Sequence, residues 1–119
     1  MIFIGIDPGK SGAIAAIDSE GSVVGLTKSD TTERDLWDSL SKWANSFPGV
    51  FAVIEQVHSM PKQGVASSFK FGMSYGFLRG ILIASGVKFT EVSPGKWQTA
   101  MRCKTKGDKN VSKARAQQL

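Results

Sequence analysis

Two short apolar runs, each closing on a single carboxylate, constrain this chain more than any other feature. Residues 2–7 read IFIGID and pass straight into Pro8 and Gly9, and residues 50–55 read VFAVIE. Both are short, apolar and bounded by turn residues, and so read as buried strands rather than helices. The second is apolar on both faces, the pattern of a central parallel strand covered on each side. An ionised carboxylate buried at the end of such a strand is costly unless it is paired, hydrogen-bonded or bound to a metal. Asp7 and Glu55 therefore need a chemical reason to be where they are.

The rest of the chain supplies the frame around them. GAIAAID and SVVGLTK form two further strands about a Ser19-Glu20-Gly21 hairpin turn. Asp30 or Thr32 caps a helix with Glu33 and Asp35 in its first turn, and Leu36, Leu40, Trp43 and Phe47 fall on one helical face before Pro48-Gly49 ends it. Residues 65–86 read as a long helix and VKFTEV as a fifth strand. Ser93-Pro94 opens a short helix, with Ser as cap and Pro in the first turn. A basic loop, RCKTKGDK, then leads through Asp108 as cap into a last helical segment, residues 109–119. Three strands in a meander followed by helix, strand, helix, strand, helix make an α/β architecture with a mixed sheet. If the first and fourth strands are parallel neighbours, Asp7 and Glu55 emerge at one edge of the sheet, where ligands of open α/β sheets bind.

Composition narrows the classes. The chain of 119 residues, 41% of them hydrophobic, is expected to form one globular domain, 1–119. Its most apolar helical stretch, residues 76–87, contains Arg79 and is too short to span a bilayer, and the N-terminus reads as no secretory leader. One cysteine and one histidine exclude an internal disulfide and argue against a zinc site, which fits a reducing, cytoplasmic setting. Charge is unevenly divided. Residues 1–55 carry eight acidic and four basic side chains, net −4; residues 56–119 carry two acidic and eleven basic, net +9. A split of this kind suits a polyanion partner, although it also suits a solvated surface.

Two carboxylates converging at one edge repel unless a cation neutralises them. Oxygen ligands without a His or Cys cluster point to Mg2+, with Mn2+ as the alternative. In two-metal sites the ions lie about 3.5–4 Å apart and stabilise the attacking and leaving oxygens of an in-line phosphoryl displacement. The competing structural reading is that each acid caps a turn or pairs with a lysine, since Asp before Pro-Gly is ordinary turn chemistry.

The segments GIDPGKSGA, IEQVHSMPKQG, SFKFGMSYGFLRGIL and EVSPGKWQTAM, taken together and in this order, resemble the RuvC-type Holliday junction resolvases, with the nearest likeness to phage and RuvC-like bacterial members. The resemblance implies an RNase H-like fold, a five-stranded mixed sheet of order 3-2-1-4-5 flanked by helices. It also implies a homodimeric, Mg2+-dependent endonuclease acting on four-way DNA junctions in recombination and repair. Asp7 and Glu55 match the first two members of the family's metal-binding carboxylate set. His58 falls where some members carry an aromatic that wedges into the branch point, a place an imidazole fills less well than Phe or Tyr. Lys10, Lys62, Lys96, Lys104, Lys106, Lys109 and Lys113 become candidate phosphate contacts. The sequence departs from the family in one respect. Members supply their remaining acids from a last helix, whereas this sequence has no Asp or Glu after Lys109 and ends on KARAQQL without a helix-stop signal. We expect that final helix to lie beyond residue 119, leaving this chain with part of the metal site. Glu91 lies within the fifth strand and Asp108 is better explained as a cap, so neither substitutes well.

The long helix carries a second pattern. Ser68, Gly72, Gly76, Gly80 and Ala84 recur every four residues, and each interior glycine costs up to about 1 kcal/mol of helix propensity. Either the stripe packs tightly on the sheet, or it forms a helix seam between two subunits, the dimer helix of the resemblance. Two other functions remain compatible with the sequence: a branched-DNA-binding module that does not cut because its acids are incomplete, and an actin-like or sugar-kinase-type nucleotide-binding domain, which also opens with strand, Asp and glycine turn.

Overall fold

A computed structural model describes residues 1–9, 11–28, 31–56 and 64–101. Five strands, β1 (Ile2–Asp7), β2 (Ala13–Asp18), β3 (Val23–Lys28), β4 (Val50–Glu55) and β5 (Lys88–Val92), form one sheet of order β3-β2-β1-β4-β5. The meander pairs antiparallel, β1 with β2 and β2 with β3, while β4 lies parallel to both β1 and β5. This is the expected order.

Local chemistry sets the three described helices. In α1 (Glu33–Ser46) the cap is Thr32, whose side chain accepts from the Asp35 N–H at 3.1 Å, with Glu33 and Asp35 complementing the helix N-terminus. α2 (Val65–Ala84) stops two residues short of the expected end, where Ser85 and a left-handed Gly86 close the helix. α3 (Pro94–Ala100) starts as read: Ser93 caps it, accepting from the Lys96 N–H, and Pro94 occupies the first turn.

Ile2, Ile4 and Ile6 of β1, Ile14 and Ala16 of β2, and Ala52 and Ile54 of β4 form one buried face with Leu36, Leu40 and Trp43 of α1 and Leu78, Ile81 and Leu82 of α2. Gly25 of β3 lets the Trp43 indole approach, since a Cβ there would come within 2.6 Å of that ring. The other face differs from the expectation of strands covered on both sides. Phe3 of β1 remains 41% exposed and Val53 of β4 37% exposed. The core residues of α1 and α2 pack on the same face of the sheet, so alternate apolar positions of the central strands are left half open. No helix among the described residues is long and apolar enough to cross a membrane.

The glycine stripe of α2 is resolved in the same way. Among the described residues, a Cβ at Gly72, Gly76 or Gly80 would meet nothing within 4 Å. The stripe therefore does not pack on the sheet. It faces outward, flanked by Phe69 and Met73, which are 68% and 56% exposed.

Candidate metal centre

Asp7 and Glu55 are the last residues of β1 and β4. The parallel ladder pairs Ile6 with Ile54, so the next step brings Asp7 beside Glu55, about 5 Å apart as strand neighbours are. Strand alternation puts both acids on the half-open face, away from the core isoleucines. Asp7 is exposed and Glu55 half-buried. This corrects the argument from desolvation: Asp7 tolerates its position because the strand delivers it to the sheet's open edge, and no buried charge has to be offset.

The turn after Asp7 is folded tightly against its backbone. Gly9 adopts φ 111°, and the Gly12 N–H donates to the Gly9 carbonyl at 3.2 Å. A Cβ on Gly12 would lie 1.8 Å from the Asp7 carbonyl oxygen, and one on Gly9 would lie 3.1 Å from the Phe71 ring of α2. Glycine at both positions lets the turn close, with α2 covering it.

Glu55 is held from the other side. The Trp97 indole N–H of α3 donates to Glu55 Oε2 at 2.6 Å. Because β5 runs parallel beside β4, the helix that follows β5 begins at the same edge, and the Gln56 N–H extends the ladder by donating to the Val92 carbonyl at 2.8 Å. Trp97 was not among the residues singled out from the sequence for the site. Its position one turn into a helix capped at that edge, with an indole donor, is the signal that could have found it.

Glu91 is excluded as a third ligand. It pairs in register with Ile54, on the core face, and its carboxylate binds Arg79 of α2 at 2.5 Å. Among the described residues no group of three or more His, Cys, Asp or Glu comes together. The two neighbouring carboxylates still fit Mg2+, which takes one or two protein carboxylates and completes its octahedron with water and substrate oxygens. Of the candidate phosphate contacts, Lys96 lies exposed on α3, next to Trp97. Lys10, His58, Lys62, Lys104, Lys106, Lys109 and Lys113 lie outside the described residues, as do Asp30, Asp108 and the last expected helix.

No family model matches the sequence, and no curated protein does. Solved structures do match. RuvC of Thermus thermophilus in complex with a Holliday junction substrate superposes with a TM-score of 0.63 at 15% identity, over 86% of this chain and 72% of that one. A second structure of Thermus thermophilus RuvC gives a TM-score of 0.59 at 15% identity, over 97% of this chain and 77% of that one. With the strand order 3-2-1-4-5, these likenesses establish that the chain has the RNase H-like fold of RuvC.

Proposed function

We propose that the protein is a metal-dependent, structure-selective endonuclease that cleaves DNA at four-way junctions. The observation that carries this reading is the register bringing Asp7 and Glu55 side by side at the open carboxyl edge of a RuvC-type sheet. Asp7 and Glu55 would hold Mg2+, which, when bound, supplies positive charge for the phosphodiester oxygens and makes water acidic enough to act as a nucleophile near neutral pH. The chain's own residues shape the site: the glycine turn folds closely against the Asp7 backbone, and the Trp97 indole holds Glu55 by its Oε2. Lys96, exposed on the helix that carries Trp97, would offer a phosphate contact, and the net charge of +9 over residues 56–119 suits the arms of a branched DNA that bound RuvC engages in the neighbour complex. Contacts of this kind position DNA without reading its sequence.

Two matched cuts on a two-fold symmetric junction need two active sites. The outward glycine stripe of α2, with Phe69 and Met73 exposed beside it, supports a homodimer joined along this helix. A second reading, a junction-binding module without cleavage, draws on the presence of only two site acids among the described residues.

A labelled synthetic four-way junction with and without Mg2+ separates the two. The nuclease reading expects Mg2+-dependent nicks that Asp7→Asn abolishes while junction binding persists. Binding without nicks, in the full chain and in any longer version of it, would favour the second reading. Cleavage retained by Asp7→Asn would remove Asp7 from the metal site.

A further inference from the structure

We infer that Trp97 is a positioning residue for the metal ligand Glu55, fixing which carboxylate oxygen meets the cation; the inference rests on the metal-site reading above. The 2.6 Å bond from the indole N–H to Oε2 is short, as expected of a donor facing an ionised acceptor. It occupies Oε2 of Glu55 and leaves Oε1, which takes no hydrogen bond from a described residue, as the oxygen that would be available to a cation. The chemistry of the donor matters. A lysine or arginine in this place would neutralise the carboxylate and compete with Mg2+, whereas an indole is a neutral donor that orients Glu55 and preserves its charge. Trp97 is well supported for that task. Its side chain is half-buried, its helix is started by the Ser93 cap and Pro94, and that helix follows directly on β5, which is hydrogen-bonded along β4. Hydrogen-bond partners of ligating carboxylates set ligand orientation and metal affinity in this way.

The alternative is that the bond only anchors α3 to the sheet and has no bearing on the metal. Two variants of the full chain separate these roles: Trp97→Phe, and replacement of Trp97 by 3-benzothienylalanine, which keeps the ring shape and puts sulfur where the N–H was. The readout is Mn2+ binding followed by electron paramagnetic resonance, with Asp7→Asn as the reference for loss of the site and melting temperature as the check on folding. Metal affinity should fall about ten- to hundredfold in both variants. Junction affinity measured without metal should stay at the wild-type value, and kcat for cleavage should fall while KM for the junction holds. Wild-type Mn2+ affinity in the benzothienyl variant would overturn the positioning role and leave the metal centre standing. Unfolding of that variant would assign the bond to stability and overturn it as well. A wild-type protein that binds no Mn2+ in an Asp7-dependent manner would overturn both the inference and the metal-site reading.

Discussion

Gly12 controls the site as firmly as the acids do. Any side chain there would drive a Cβ to 1.8 Å from the Asp7 carbonyl, against backbone that cannot swing aside as a side chain would. Gly12→Ala should therefore destabilise the fold by at least about 1–3 kcal/mol in urea denaturation, the usual cost of overpacking, and weaken Asp7-dependent metal binding. Gly25→Ala should cost stability through Trp43 while leaving metal affinity unchanged, because its clash lies in the core, remote from the edge. Glu91→Gln, which breaks the Arg79 pair on the opposite face, should leave junction cleavage unaltered. The two acids were legible in the sequence because an acid closing an apolar strand is a local pattern. The Trp97 to Glu55 bond was not, because it joins residues 42 apart that only the β4 and β5 pairing brings together.

Among the elements, α2 sets the sharpest expectation. Its glycines meet no described residue within 4 Å, so the proposed dimer seam would give a reason for keeping three poor helix formers. If two copies meet along this stripe, Gly76→Leu should shift sedimentation from dimer to monomer while each monomer stays folded. In a protein that is monomeric throughout, Gly76→Ala would instead simply stabilise the helix, by up to about 1 kcal/mol. Elements with local signals were readable in advance: Ser93 caps as expected, Thr32 is the cap of the two residues offered, and the five short apolar runs form strands, in the order that the resemblance implied. Sidedness was not readable. Phe3 and Val53 are as apolar as Ile4 and Ile54, and nothing within a strand states that α1 and α2 both pack on one face.

Across the whole molecule, fold and charge act together. The sheet delivers two acids to one edge, and the chain that follows Glu55 carries the positive charge a DNA partner would meet. Junction binding should weaken with salt, each neutralised phosphate adding close to one unit, about 0.9, to the slope of log affinity against log salt. Lys96→Ala should lower that slope by one such step without altering metal affinity. The central claim, that Asp7 and Glu55 together hold the metal that cuts DNA, is tested most directly by the Mg2+ dependence of four-way junction cleavage in the wild type, Asp7→Asn and Glu55→Gln. Mg2+-dependent cleavage by the wild type and none by either variant, with junction binding intact in all three, is the predicted result. Cleavage by either variant at the wild-type rate would contradict it.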